Sequence, residues 1–145
     1  MTGQRHDLGA SFARLTRAMF DAETPILRAH DVEMWDYAVL SALRDEAAPT
    51  QSELAAAVQR DKTRLIPILD RLEARGLLTR TPDPADRRNR VIALTDDGRV
   101  VLDACRTAIR AMEEKFLAAV PEAERRTFVE VLTRLTDRLQ PPTTK

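Results

Sequence analysis

Apolar residues recur every three or four positions along most of the chain, which is the spacing that places side chains on one face of an α-helix. Four helices are predicted in the first half of the chain, over residues 8 to about 28, 34–44, 51–58, and 62 or 63 to 75. Pro25 interrupts the first of these stretches, and a proline removes one amide donor from a helix. We therefore expect the first helix to kink or end near Pro25.

Local signals mark where the third and fourth helices begin and end. Thr50 is followed three residues later by Glu53, a capping box that satisfies two free amide groups at a helix start. Gly76 follows the fourth helix and is predicted to cap its C-terminus. The break at residues 59–61 predicts a tight turn between the two helices. The fourth helix is expected to bury a stripe of four apolar side chains, Leu65, Ile68, Leu69 and Leu72.

The spacing changes after Gly76, where two short runs are typical of strands. Residues 77–80 and 90–94 flank a polar segment, residues 81–89, that is rich in proline, aspartate and arginine. Two such runs around a turn-rich tip predict a β-hairpin with a long loop.

Two further helices are predicted after the hairpin. The first is capped by Thr95 and is expected to reach about Val120, with one face formed by Val101, Cys105, Ala108, Ile109, Met112 and Phe116. Pro121 restarts the chain into a last helix, whose apolar face is formed by Phe128, Val131, Leu132, Leu135 and Leu139. The tail from Pro141 to Lys145 is expected to fray.

Two short helices joined by a tight turn and followed by a hairpin have the architecture of a winged helix-turn-helix. The fold class is therefore predicted to be mainly α with a small β-wing: four helices, the hairpin and two more helices. Residues 34–98 form the predicted DNA-binding lobe, and residues 1–33 and 99–145 form a helical dimerisation region. The first, fifth and sixth helices have apolar faces too large to stay exposed in a monomer, which predicts a homodimer.

Composition changes this picture mainly through the distribution of charge. The 145 residues are 43% hydrophobic and 32% charged, which is typical of a folded domain. Net charge is zero, yet nine basic and five acidic residues lie between Arg60 and Arg90, which leaves 14 basic and 18 acidic residues elsewhere. Such a segment fits a polyanionic partner, although it is also typical of a solvated surface. Aromatic residues make up only 4%, which argues against a platform for stacked bases.

Other chemistry finds little support in the sequence. One cysteine excludes a disulfide within the chain and a cysteine-based zinc site. His6 and His30 lack the spacing of metal ligands and are expected at the surface near helix ends. No triad or paired-carboxylate arrangement can be argued from the spacing, so neither an enzyme nor a cofactor is predicted. No apolar run approaches the ~20 residues of a membrane span and the N-terminus lacks signal-peptide features, so a cytoplasmic protein is expected.

The chain resembles the MarR family of transcriptional regulators between about Met34 and Leu102. Three segments carry the resemblance at the family's spacing: residues 72–78 (LEARGLL), 83–88 (DPADRR) and 91–98 (VIALTDDG). The resemblance implies a regulator that binds double-stranded DNA as a homodimer joined through its first, fifth and sixth helices. A two-fold dimer of this kind reads two half-sites, so a pseudo-palindromic operator is expected. A ligand-responsive repressor with a small aromatic effector is also implied.

The family pattern assigns roles to four residues of the wing. By resemblance, Asp86 orders the wing loop and Arg88 enters the minor groove of DNA. Arg87 and Arg90 are then expected to contact phosphates or the groove. The minor groove has a strongly negative potential, which arginine side chains complement.

Residues at the start of the third and fourth helices complete the predicted interface. The resemblance implies base and phosphate contacts at Lys62, Thr63 and Arg64. An arginine binds guanine through two hydrogen bonds, which makes Arg64 the best candidate for sequence readout. Gln51 and Ser52 are expected to fix phosphates through a side chain or a backbone amide at the helix N-terminus.

Pro67 departs from the family pattern, which often has a polar or basic residue facing DNA at this position. If Thr63 capped the fourth helix, Pro67 would occupy its fourth position, where a missing amide costs little. The departure leaves base contacts beyond Arg64 unpredicted.

Two interpretations stay open for residues at the helix junctions. Phe12, Trp35 and Cys105 either line a pocket for a small aromatic effector or pack in the core where three helices meet. Cys105 is either a buried small hydrophobe or a redox-sensing thiol. The alternatives to a DNA-binding regulator are a winged-helix module for protein–protein interaction and a redox or small-molecule sensor without a primary role at DNA.

Overall fold

A computed structural model describes residues 7–45 and 50–139 of the chain. Within these residues the helices are α1 (Leu8–Arg28), α2 (Met34–Asp45), α3 (Gln51–Ala57), α4 (Lys62–Ala74), α5 (Asp96–Phe116) and α6 (Glu122–Asp137). The strands are β1 (Leu78–Pro82) and β2 (Arg90–Leu94). The predicted order of four helices, hairpin and two helices is confirmed. The chain divides after Ile109 into two compact units, so α5 begins in the first unit and ends in the second.

The first unit has a hydrophobic core to which α2, α3, α4, the hairpin and α5 all contribute. The predicted stripe of α4 is buried, as is Leu54 of α3. On α5, Cys105 and Ile109 are buried as predicted, whereas Phe116 is exposed and the fully buried Leu102 was not predicted. The core comprises Val39, Leu40, Leu43, Leu54, Ala55, Leu65, Ile68, Leu69, Leu72, Leu77, Leu78, Ile92 and Leu102.

The capping box at the start of α3 is confirmed. The amide of Glu53 donates to the Thr50 hydroxyl at 3.2 Å, and the Glu53 carboxylate accepts a hydrogen bond from the Thr50 amide at 3.2 Å. Both bonds use groups that the first helical turn leaves without partners. They fix the direction in which α3 leaves the preceding chain.

The helix α4 starts earlier than a cap at Thr63 would imply, which changes the position of Pro67 within it. Asp61, not Thr63, caps this helix, because its Oδ1 accepts a hydrogen bond from the Arg64 amide at 2.9 Å. Thr63 therefore lies inside the helix and Pro67 is its sixth residue. At that position the missing amide deprives the Thr63 carbonyl of its helical donor, yet the helix continues to Ala74.

The chain turns sharply at the end of α4 because Gly76 has a φ of +72°. This left-handed conformation is strained for residues with a side chain. The Leu77 amide donates to the Leu72 carbonyl at 3.0 Å, and the Gly76 amide donates to the Glu73 carbonyl at 2.9 Å. These are the two bonds of a Schellman cap, so the predicted glycine cap is confirmed.

The hairpin is antiparallel, with Leu78 opposite Leu94 at the base and Pro82 opposite Arg90 near the tip. Thr81 and Pro82 were expected in the loop, but they pair with β2, so the tip comprises only residues 83–89. A proline is tolerated in β1 because this strand has β2 as its only neighbour in the sheet and is therefore an edge strand. The strand β1 also begins one residue later than predicted, at Leu78.

The first helix ends at Arg28, as predicted and three residues past Pro25, because a proline in the last turn removes only one helical hydrogen bond. One predicted helix end was wrong. The fifth helix ends at Phe116 and not near Val120, and a 3₁₀ turn, Leu117–Ala119, follows it. Turns of this type commonly tighten the ends of helices.

In the second unit, α6 begins directly after Pro121, as predicted. None of its residues is buried. The five side chains of its predicted apolar face are exposed, namely Phe128, Val131, Leu132, Leu135 and Leu139. The predictions for His6 and for residues 141–145 lie outside the described residues.

Candidate nucleic-acid interface

The starts of α3 and α4 meet the end of the wing around one surface cleft of about 150 Å³. Five of the nine predicted DNA-binding residues lie at this cleft, and the two other lining residues are Thr50 and Asn89. We call it the basic cleft; it is lined by Thr50, Gln51, Ser52, Lys62, Arg88, Asn89 and Arg90. Residues that are far apart in sequence are thus brought to one surface.

The cleft exists because the start of α3 is attached to the wing. Thr50 forms an isolated antiparallel bridge with Val91 of β2. The same threonine caps α3, so one residue fixes both the helix start and its distance from the strand. The capping box is visible in the sequence, whereas this bridge joins positions 41 residues apart and leaves no local signal.

The wing tip is ordered by its own aspartates. The Asp86 carboxylate accepts a hydrogen bond from the Arg88 amide at 3.1 Å, and the Asp86 carbonyl accepts one from the Asn89 amide at 3.0 Å. Asp83 acts similarly, because its carboxylate accepts from the Ala85 amide at 2.9 Å. These short side-chain bonds are typical of Asx turns. They bend the loop at Asp86, and the side chains of Arg87 and Arg88 that follow it are exposed.

The first turn of α4 presents Lys62, Thr63 and Arg64 to solvent. Of these, only Lys62 lines the basic cleft. The Arg64 guanidinium lies 3.4 Å from Asp61, the residue that caps the same helix. Both side chains of this pair are largely exposed, so the pair contributes little to stability.

Some arginines of the basic segment are used within the fold. Arg71 of α4 forms an ion pair with Asp36 of α2, which is only 1% exposed, and lies 3.7 Å from Glu33. The hydrogen bond to Asp36 raises the pKa of Arg71. The Arg75 guanidinium donates to the Asp31 carbonyl at 2.5 Å. These contacts attach α4 to the segment that begins α2.

Arg80 attaches the wing to α4. Its guanidinium contacts Asp70 at 2.6 Å and Glu73 at 3.0 Å, and only 12% of its side chain is exposed. The Arg80 hydrogen bonds lower the pKa of Glu73 and, in return, raise the pKa of Arg80. The base of the wing and the exposed side of α4 are therefore held together by charge.

The remaining basic side chains are available for a partner. Lys62, Arg87 and Arg88 form no ion pair with any residue in the described part of the chain. All three are exposed, and two of them line the basic cleft. The surplus of basic residues predicted between positions 60 and 90 is thus concentrated at the cleft and the wing tip.

The residues proposed for an effector site have different environments. Cys105 is fully buried, and burial raises the pKa of its thiol, which fits a small hydrophobe better than a redox sensor. Phe12 is exposed on α1. Trp35 is 38% exposed and not a core residue, and the Arg60 guanidinium lies 4.0 Å from the centre of its ring. This cation–π contact between α2 and the turn before α4 was not predicted.

Neither a metal site nor a membrane span is found in residues 7–45 and 50–139. These residues contain no cluster of three or more histidine, cysteine, aspartate or glutamate side chains able to hold a metal ion. No helix among them is both long and apolar enough to cross a bilayer.

Comparison with known proteins agrees with this geometry. A model of the MarR family matches residues 33–89. The chain is 30% identical to the HTH-type transcriptional repressor NicR of Pseudomonas putida over 136 residues, which are 91% of this chain and 86% of NicR.

Two solved structures of the repressor CouR have a similar fold. One is CouR bound to a 23-mer DNA duplex, with a TM-score of 0.78 and 25% identity over 89% of this chain and 92% of CouR. The other is CouR from Rhodococcus jostii RHA1 bound to p-coumaroyl-CoA, with a TM-score of 0.77 and 25% identity over the whole of both chains. Together with the wing segment 83–88 (DPADRR) and the match to NicR, this shows that the chain belongs to the MarR family of transcriptional regulators.

Proposed function

We propose that this regulator represses transcription by occupying a pseudo-palindromic operator as a homodimer, and that a small aromatic effector releases it. The observation that carries the proposal is the basic cleft, where the starts of two helices and the end of the wing converge. A major groove is wide enough for a helix and is bordered by phosphates on both sides. A helix start flanked by basic and polar groups fits that arrangement.

Each side of the cleft has a separate role in this proposal. Gln51 and Ser52 bind a phosphate at the start of α3, where free amides favour an anion. Lys62 neutralises a phosphate at the edge of the groove. Arg88 enters the adjacent minor groove, supported by the ordered loop that Asp86 maintains.

Three further predicted residues belong to the surfaces beside the cleft. Thr63 faces the major groove, and Arg64 reads guanine after leaving Asp61, an exchange that costs little because their ion pair is exposed. Arg87 binds a phosphate beside the wing tip, whereas Arg90, which lines the cleft, binds a phosphate within it.

The homodimer is supported by apolar faces that a single chain leaves exposed. In the first unit, α1 exposes Leu8, Phe12, Leu15 and Phe20. In the second unit, α6 exposes every large apolar side chain that it carries. Contiguous apolar patches of this kind usually mark an interface. We assign dimerisation to these two helices and to α5.

Release by an aromatic effector is supported by the exposed rings of Trp35 and Phe12 and by the guanidinium that stacks on Trp35. The related CouR is bound to p-coumaroyl-CoA, an aromatic thioester. In this proposal the effector changes the separation of the two α4 helices of the dimer, which are the helices that read the major grooves. A dimer that no longer matches both half-sites loses affinity for its operator.

The test is selection of bound duplexes from a random pool by the purified full chain at near-physiological salt. A palindromic consensus is expected. Enrichment without a consensus would indicate binding through charge alone. Failure to retain any duplex would contradict the proposal and favour a winged-helix module for protein–protein interaction.

Arg88→Ala tests the wing on the selected duplex. The variant is expected to weaken binding at least tenfold and to reduce the slope of log K against log salt by about one unit for each protomer. Arg99→Ala is the matched control. Arg99 is exposed on α5, which follows the end of β2 that is far from the wing tip. Equal affinities for Arg88→Ala and the unmodified protein would show that the wing assignment is wrong.

A further inference from the structure

The exposed face of α4 has an apolar centre. Ile66 is 41% exposed, and it is the only large hydrophobic residue classed as exposed between positions 50 and 94, all of which the structure describes. Its neighbour Pro67 is exposed as well. An exposed isoleucine and an exposed proline are therefore neighbours on a helix that also carries exposed charged side chains.

The two residues lie on the side of α4 that faces away from the core. Thr63, Ile66, Pro67 and Asp70 follow the spacing of one helix face, and all four are exposed. The opposite face is buried in the core of the first unit. The Asp70 carboxylate is paired with the Arg80 guanidinium of the wing at 2.6 Å, and Glu73 shares the same guanidinium. The other side chains of this face are Thr63, with a hydroxyl and a methyl group, and the apolar Ile66 and Pro67.

The basic cleft determines what this face meets. Lys62, in the first turn of α4, lines the cleft together with Arg88 of the wing. Ile66 is one turn further along the helix, about 6 Å from Lys62 along its axis. A duplex whose phosphates occupied the cleft would bring its major groove toward this part of α4.

We infer that Ile66, supported by Pro67, selects thymine by contact with the 5-methyl group in the major groove. This inference rests on the proposed function and names the chemistry that the recognition helix reads. Base edges in the major groove carry hydrogen-bond donors and acceptors, and the thymine methyl is the one apolar group among them. An isoleucine against any other edge removes water from a polar group and returns no hydrogen bond. Discrimination in favour of thymine follows.

The test uses two random duplex pools, one synthesised with thymine and one with uracil, which lacks only the methyl group. The thymine pool is expected to yield a palindrome with fixed thymines in each half-site, and those positions are expected to lose their preference in the uracil pool. Replacing one contacted thymine by uracil in the selected duplex is expected to weaken binding about fourfold, the effect of one buried methyl group. 5-Methylcytosine at the same position is expected to recover part of the loss.

Variants assign the effect to the side chain. Ile66→Ala is expected to bind thymine and uracil duplexes equally, whereas Ile66→Val, which keeps an apolar branch, is expected to preserve most of the preference. Because Ile66 is exposed, thermal unfolding of the variants should stay close to that of the unmodified protein. If Ile66→Ala failed to fold, the two pools with the unmodified protein would still decide the question.

The outcomes separate this inference from the proposed function. The same consensus and equal affinity with thymine and uracil would overturn the thymine contact and leave the operator-binding regulator intact. Enrichment in neither pool would contradict both. A uracil penalty that persists undiminished in Ile66→Ala would also overturn the assignment to this residue.

Discussion

Gly98 lies in the first turn of α5, against the backbone that leaves α4. A β-carbon at this position would be 2.0 Å from the Leu77 carbonyl oxygen, far inside any contact distance. The same corner is held by Thr95, whose hydroxyl donates to the Gly76 carbonyl at 2.6 Å and accepts from the Gly98 amide at 3.0 Å. The segment 91–98 (VIALTDDG) therefore ends in glycine because the backbone that leaves α4 occupies the space of a side chain.

Gly98→Ala is expected to lower the free energy of unfolding by about 1–3 kcal/mol, because backbone atoms must move to make room for the methyl group. Chemical denaturation measures the effect. Gly9→Ala is the matched control: Gly9 is in the exposed first turn of α1, and its added β-carbon approaches nothing closer than 3.4 Å. That variant should gain roughly 0.5 kcal/mol, since alanine favours helix over glycine. Similar stabilities for the two variants would show that the corner is not rigid.

At the scale of the elements, ion pairs decide how the wing is oriented on α4. Arg80 of β1 connects to both Asp70 and Glu73 of the helix, and its amide also donates to Glu73 at 3.1 Å. The hydrogen bonds from Arg80 hold the pKa of Glu73 below its ordinary value. A carboxylate of this kind adds stability above its ordinary pKa and loses that contribution as the pH falls through its lowered pKa in the folded state.

Glu73→Gln is therefore expected to be less stable than the unmodified protein at pH 7, with a gap that narrows as the pH falls below about 4.3, the ordinary glutamate pKa. Thermal unfolding between pH 7 and pH 3 measures the gap. Glu114→Gln is a suitable control, because Glu114 is exposed on α5 and forms no ion pair within the described residues. A gap for Glu73→Gln that does not change with pH would contradict the ion-pair explanation.

Features encoded locally were predictable from the sequence, and long-range features were not. The capping box at Thr50, the Gly76 cap and the buried stripe of α4 follow from the spacing of a few neighbouring residues. The Asp36–Arg71 ion pair joins positions 35 residues apart and the Thr50–Val91 bridge joins positions 41 residues apart, so no local sequence pattern predicts them. Five of the seven cleft residues were predicted, Arg88 and Arg90 from the family pattern of the wing and Gln51, Ser52 and Lys62 from the starts of two helices. Asn89 and the apolar centre of α4 depend on tertiary placement.

For the whole molecule, the apolar face of α6 is the main feature that one chain leaves uncovered. Leu135 is 47% exposed in a helix that buries none of its own residues. The gain from covering such a face on association is about 25 cal/mol per Å² of apolar area. The proposed palindromic operator requires two lobes, so dimerisation and DNA binding should be lost together.

Leu135→Glu is expected to shift the protein to a monomer and to reduce operator affinity at least a hundredfold, since one half-site remains without its lobe. Sedimentation velocity and duplex binding measure the two effects. The helical circular dichroism of the concentrated protein indicates whether the chain still folds. Arg134→Glu places the same carboxylate on the polar face of α6 and is expected to stay dimeric. A dimeric Leu135→Glu would remove α6 from the proposed interface.

Because Cys105 is buried, a spectroscopic label can be attached selectively to a cysteine introduced on the wing. Cys105 is the one cysteine of the sequence, and burial raises the pKa of its thiol, so it reacts slowly with alkylating dyes. A second cysteine introduced at the exposed Asn89 would take up a spin label or fluorophore without removal of the native thiol. In a homodimer each wing would then carry one probe. The distance between the probes would report directly how far an effector moves the two wings apart.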